Sequence, residues 1–361
     1  MDGNSKIQVP RWLLEAARIC VASGERREVS RMKTLLSTGV ALFSFLCLIP
    51  SASKAAAPLP RVVTAFASFS EKEGAIFVAE DQGFFRKYGL DVKHVFVSSG
   101  SIALSALASG DAHFYTGSPT GATLGAVAGG LDVVFVAGLV NKLNGTFAVE
   151  PSIKTPAELK GKTIGVQSIG GGIWMITMLL LNHWELDLKR DNIKFRVLGD
   201  FTVLTQSLAS HIIDGSYLTY TFASRMERQG FRILADLAKL PIPYQNTGVI
   251  ARRSFVNASP DIVERFLRGL TEGVAFAMDP ANKNSVMRSL ARGLRLPRTE
   301  DALEGYEGML TLYQRHLYPT TEGIRNAIQV IGTTNERIRS LKAENLVDDR
   351  FVKKLEQEGR F

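Results

Sequence analysis

Two α/β lobes, each a mainly parallel sheet flanked by helices and joined by a two-crossing hinge, are what this sequence predicts. Three observations carry that fold class. Short β-branched and aromatic runs alternate with segments of helical period, the grammar of a parallel sheet covered by helices. The alternation breaks near residue 149 and restarts near residue 162. The two halves also echo each other. Leu107-Ala108-Ser109 followed by Asp111 has its counterpart in Leu208-Ala209-Ser210 followed by Asp214, and Gly129-Gly130-Leu131 in Gln229-Gly230-Phe231. Two similar units in one chain imply two lobes with a cleft between them.

Taken in order, residues 61–67 form a β-rich run, and residues 71–88 have helical period opened by Ser70 and Glu73 at capping-box spacing. Residues 92–97 are strand-like, 102–109 helical, 112–116 a strand, 119–128 a helix and 133–137 a strand. In the second unit, strands are expected at 162–167, 193–198, 216–219 and 232–235. Helices are expected at 174–184, 203–210 and 223–229. Residues 139–149 and 244–251 are the expected crossings between the units, and paired crossings make a hinge. Ser259 before Pro260 marks a helix start. Val263, Phe266, Leu267, Leu270 and Val274 are its buried stripe, and Leu303, Tyr306, Leu310 and Tyr313 form another. The expected division is a first lobe of 60–148 with 246–300, a second of 149–245, and C-terminal helices at 301–361 packing on the lobes.

The 361 residues are 45% hydrophobic and 22% charged, ordinary for a globular protein. The net charge of +8 is unevenly placed. Residues 1–57 hold eight basic and four acidic side chains, leaving 35 basic and 31 acidic in the body. No dense Lys/Arg cluster interleaved with aromatics follows, so nucleic acid is not an expected partner. Both cysteines, Cys20 and Cys47, precede residue 58, so the body has neither a disulfide nor a cysteine nucleophile. Residues 32–57 read MKTLLSTGVALFSFLCLIPSASKAAA. Arg31 and Lys33 precede a 15-residue apolar or small-residue run, Pro50 breaks it, and small residues follow. This is the pattern of a secretory signal over 32–55, with cleavage expected after Ser53-x-Ala55. Met32 is the expected initiator and 1–31 a non-native or disordered extension. The alternative is a retained extension that turns residues 35–49 into an anchor.

AIFVAEDQGFFRKYGLDV (residues 75–92) resembles the opening of type II periplasmic binding proteins of the nitrate/sulfonate/taurine group, with their SsuA/THI5-like and NMT1-like relatives. SALASGDAHFYTGSPTGATLGAVAGGLDVVFVAG (105–138) resembles their next block, and ELKGKTIGV (158–166) the start of their second lobe. The usual Asp-Ala of that lobe is Asp214-Gly215 here. The resemblance implies a periplasmic, monomeric, non-enzymatic receptor. It would hand a small solute (a sulfonate, a nitrate-like anion or a thiamine-precursor-like heterocycle) to the permease subunits of an ABC importer driven by a cytoplasmic ATPase. A sensory receptor is the second reading. An enzyme of thiamine-pyrimidine synthesis is the third, and the body lacks the cysteine-bearing motif it needs.

In open α/β sheets ligands sit beyond the carboxyl ends of the strands, where helix N-termini offer unpaired N–H groups and partial positive charge. The residues expected there in the first lobe are Ser68, Phe69, Ser70, Ser99, Gly100, Ser101, Gly117, Ser118 and Thr120, with Asn141 on the first crossing. In the second lobe they are Ser168, Gly170, Gly171, Gly172, Trp174, Thr219, Tyr220 and Thr221. Phe69, Trp174 and Tyr220 are candidates for stacking on a heterocycle. The alternative role for each Ser or Thr is an N-cap, worth about 1 kcal/mol. Few cations stand at these strand ends; Arg225 is the one within reach. The Gly triplet completes neither a Walker loop nor GxGxxG, and the five His show no metal-ligand spacing, so no cofactor or metal is expected.

Overall fold

The strand and helix alternation builds two five-stranded sheets. The computed structural model describes residues 58–333 and 335–361; the expected export signal, its cleavage site and the 1–31 extension lie outside the described residues. The first lobe runs β1 (Arg61–Phe66), α1 (Gly74–Asp81), α2 (Phe84–Lys87), β2 (Asp91–Phe96), α3 (Gly100–Ser109), β3 (Phe114–Gly117), α4 (Gly121–Ala128) and β4 (Val133–Lys142). The second runs β5 (Thr146–Val149), β6 (Thr163–Val166), α5 (Gly172–His183), β7 (Lys194–Val197), α6 (Phe201–Ala209), β8 (Gly215–Leu218), α7 (Tyr220–Arg228) and β9 (Arg232–Asp236). The chain returns through β10 (Pro243–Arg252) into α8 (Arg253–Ala258), α9 (Pro260–Met278), α10 (Lys283–Gly293), α11 (Leu303–Leu310), α12 (Thr321–Gly332), α13 (Glu336–Arg339) and α14 (Arg350–Gln357).

Strand order is β2-β1-β3-β10-β4 in one sheet and β7-β6-β8-β5-β9 in the other. In each, the three strands of the βαβ units are parallel, and one strand inserted after a crossing is antiparallel: β10 beside β3 and β4, β5 beside β8 and β9. Each sheet is therefore mainly parallel, and its parallel strands deliver their carboxyl ends to the same edge.

Five sequence expectations change here. The first crossing is shorter than 139–149. Thr146–Val149 pairs with β8 and β9, so it belongs to the second lobe, and the chain changes sheets over Leu143, Asn144 and Gly145. The return lies between β9 and β10, around residues 237–242, while 244–251 is already strand. The helical run expected over 71–88 divides into a 3₁₀ turn (Glu71–Glu73), α1 and α2, separated by Gly83 in the left-handed region at φ 75°. The capping box does not form. Ser70 Oγ accepts from Lys72 N at 3.5 Å, and the Glu73 side chain turns toward His94. In the last stripe Leu303 and Leu310 are only half-buried, and Met309 and Leu312 fill the core beside Tyr306 and Tyr313.

The α9 stripe lies as expected. Val263, Phe266, Leu267, Leu270 and Val274 are buried, each contributing roughly 1.5–3 kcal/mol by leaving water. Phe266 stacks between Phe85 at 5.0 Å and Phe114 at 4.2 Å, tying the helix to α2 and to β3.

Candidate ligand-binding cleft

Between the lobes a narrow cavity of about 40 Å³ is lined by both sheets' carboxyl ends. From the first lobe come Ala67, Ser68, Lys72, Glu73, Gly100, Tyr115, Thr116, Gly117, Ser118 and Thr120. From the second come Gln167, Ser168, Gly171, Gly172, Ile173, Ile176, Phe201 and Tyr217.

Three helices start at this cavity. Ser99 adopts an extended backbone and caps α3 by accepting from Ile102 N at 3.3 Å. Thr120 caps α4, its hydroxyl accepting from Thr123 N at 3.2 Å. Gly171 is the N-cap of α5, and its carbonyl accepts from Met175 N at 2.9 Å. Their N-termini aim partial positive charge at one volume, from both sides. Lys72 adds a basic amino group. Its Nζ donates to Asn246 Oδ1 at 3.4 Å, and burial pulls its pKa down from the ordinary value, opposed by the neighbouring Glu73 and Glu71.

The walls are aromatic. Tyr115 folds over Gly117, two residues on along the same strand face, and a Cβ at Gly117 would run into its ring. Gly100 makes room for the hydroxyl, which lies 2.9 Å from where a Cβ would stand. Burial pushes the Tyr115 and Tyr217 phenols up, so both stay neutral donors at ordinary pH.

The lobes touch across the mouth. Gln167 Nε2 donates to Ala67 O at 3.1 Å and Ser98 O at 3.3 Å. Ala122 N donates to Gly170 O at 2.9 Å, and Gly170 takes φ 77°, a conformation that costs a side-chain-bearing residue. Behind the cavity, a buried amide cluster occupies the crossings. Asn246 Nδ2 donates to Lys142 O at 3.1 Å and to Asn144 Oδ1, which also accepts from Tyr217 OH at 3.3 Å. The arrangement is a closed one, because ligand pockets ordinarily measure about 300–1,000 Å³.

Of the residues expected from sequence, the structure brings Ser68, Gly100, Gly117, Ser118, Thr120, Ser168, Gly171 and Gly172 to the cavity. Ser99 serves as the α3 cap and Gly170 as a lobe contact. The others lie elsewhere. Phe69 stacks on Phe96 at 4.3 Å under the Arg295 guanidinium, so its face is taken. Ser70 is the buried cap of the 3₁₀ turn, and Ser101 is exposed on α3. Asn141 Nδ2 donates to Tyr318 O at 2.7 Å. Trp174 covers Gly121 and faces Phe195. Arg225 lies over the Phe222 ring at 5.7 Å.

Thr219, Tyr220 and Thr221 do form a helix N-terminus that takes a carboxyl group, and the carboxyl is the chain's own. Glu71 Oε1, from the first lobe, accepts from Tyr220 N at 3.0 Å, with Thr219 beside the carboxylate. Tyr220 OH donates to Asp236 Oδ1 at 3.1 Å, which removes its ring from the cleft.

Sequence reasoning missed Lys72, Glu73, Tyr115, Gln167 and Tyr217. The signals for two were visible. An aromatic two residues before a strand-end Gly marks a ring needing room, and Gln167 is a polar residue ending an apolar strand.

A family described as NMT1/THI5 like matches residues 72–283, from Lys72 through both lobes to the start of α10. The chain belongs to that NMT1/THI5-like family. The Bacillus subtilis (strain 168) protein named "Putative binding protein YtlA" is 27% identical over 233 residues, covering 63% of this chain and 69% of that one. Among solved structures, the periplasmic nitrate-binding protein NrtA from Synechocystis PCC 6803 superposes with a TM-score of 0.70 at 14% identity. It covers 83% of this chain and 89% of its own. The alkanesulfonate-binding protein SsuA from Xanthomonas axonopodis pv. citri, bound to MOPS, gives 0.66 at 18% identity, with 81% and 100% covered. Both likenesses carry the periplasmic binding protein fold. No helix among the described residues is long and apolar enough to cross a membrane.

Proposed function

We propose that this family member is the solute-capturing component of an ABC-type importer, exported to the periplasm, which closes its lobes on a small molecule and presents it to permease subunits. The observation that carries the reading is the convergence of three helix N-termini and one lysine amino group, from two lobes joined by two short crossings, on one cavity. The relatives' named ligands, nitrate and alkanesulfonates, put small oxyanions first in a search, with amino-heterocycles next. Capture rather than turnover is the expected activity, and no resident cofactor is proposed.

A thermal-shift screen of sulfonates, carboxylates, nitrate and aminopyrimidines tests this. A solute at 100 times its Kd stabilises the native state by about 2.7 kcal/mol, enough for a clear rise in Tm. Recovery of that solute chemically unchanged after long incubation is the second expected result. Conversion of the solute to a product assigns an enzyme, and a flat screen across all four classes removes the receptor reading.

A further inference from the structure

Among the described residues Glu73 is the one acidic residue lining the cleft, and it is buried. Its Oε2 lies 3.6 Å from His94 Nε2, too far for a hydrogen bond. Neither that oxygen nor either imidazole nitrogen has a hydrogen-bond partner among the described residues. His94 is held flat on Phe66 at 4.2 Å and edge-on to Phe77, so it backs the carboxylate without closing on it. The adjacent cation, Lys72, is directed to Asn246. A buried carboxylate lacking a donor is costly, and one bordering a ligand cavity is relieved by a donor on the ligand.

The rest of the cavity presents the opposite character, with N–H groups at three helix starts and an ammonium. An ion made only of acceptors satisfies that end and places its charge against Glu73. We infer that the solute carries a hydrogen-bond-donating nitrogen (an ammonium or amino-heterocycle N–H) set against Glu73, with its acceptor or acidic end on the helix N-termini and Lys72. This rests on the cleft being the capture site, and it makes Glu73 the residue that selects among small acids.

Isothermal titration at pH 7 with matched pairs tests it: 2-aminoethanesulfonate against ethanesulfonate, β-alanine against propionate, 4-aminopyrimidine against pyrimidine, and nitrate alone. In at least one pair the amino-bearing member binds wild type roughly tenfold or more tightly, as expected for a hydrogen bond to a charged group. Glu73→Gln erases that preference, while Glu73→Asp, which keeps the charge, retains part of it; circular dichroism and Tm confirm that both variants are folded. A wild-type preference for nitrate or for the members without an amino group overturns the assignment to Glu73 and leaves the capture site standing. A Glu73→Gln variant that still prefers the amino-bearing member overturns it as well. Wild type binding none of the seven probes counts against both.

Discussion

Glu71 shows how much one side chain can be asked to do. It leaves the first lobe's sheet edge, is fully buried, and caps α7 of the second lobe. Burial pushes its carboxyl above the ordinary 4.5, against the lowering pull of the Tyr220 N–H, Thr219 and Lys72. Because the folded value lies above the unfolded one, the stability linked to this group is fully present below pH about 4.5 and is lost as pH rises through the folded value. Glu71→Gln, which keeps an acceptor for Tyr220 N, is expected to melt above wild type at pH 7. The gap should close as pH falls to 4.5, and melts followed by circular dichroism across that range check it. At this chain length each kcal/mol relieved moves Tm by about 2 °C. A lower Tm for Glu71→Gln at pH 7 would mean that the ionised group's bonds outweigh its burial. At this scale the sequence was only partly legible. That Ser68, Ser118 and Thr120 line the cavity is readable because the carboxyl ends of parallel strands converge there, whether or not the hydroxyl also caps a helix, as Thr120 does. Lys72 and Glu73 were hidden because Ser70-x-x-Glu73 has the spacing of a local cap, and only tertiary packing turns the run Glu71-Lys72-Glu73 alternately to the second lobe, the hinge and the cleft.

Elements were read more surely than residues, since hydrophobic period survives whatever the side chains later touch. The α9 stripe is such a case, whereas the 71–88 run failed at Gly83, where a left-handed residue interrupts a pattern that stays periodic on both sides. What periodicity does not convey is how closely two helices approach. A Cβ added at Gly273 of α9 would stand 2.6 Å from Ala75 O and 2.8 Å from Ala79 Cβ on α1. One added at Gly125 of α4 would meet nothing within 4 Å. Both replacements by Ala gain about 1 kcal/mol of helix propensity. Gly125→Ala should therefore raise stability by about 0.5–1 kcal/mol. Gly273→Ala should lower it by about 1–3 kcal/mol, since the helix must be displaced. Urea unfolding of the two variants side by side decides the matter; equal shifts of the same sign would show that α9 and α1 are not packed through these small residues.

For the whole molecule, the two-lobe architecture was legible from internal repetition, and the hinge only to within several residues. A strand that changes sheets, as the chain does between β4 and β5, carries the same β-rich pattern on both sides of the change. A cavity of about 40 Å³ requires that the lobes part to admit a solute. A ligand that prefers the closed form shifts the population toward it. Small-angle scattering should record a smaller radius of gyration once a binding solute saturates the protein. Gln167→Ala, which loses both bonds to the first lobe's loops, should weaken binding by about tenfold and leave the free protein more extended. An unchanged radius in wild type at saturation would make the two lobes a rigid unit. The other bond across the mouth, Ala122 N to Gly170 O, joins main chain to main chain. Such a clasp asks for a glycine at 170 and is otherwise indifferent to the side chains that line the cavity. Descendants of this chain are free to exchange the residues that choose the cargo while inheriting the motion that traps it, so a change of diet demands no new machine.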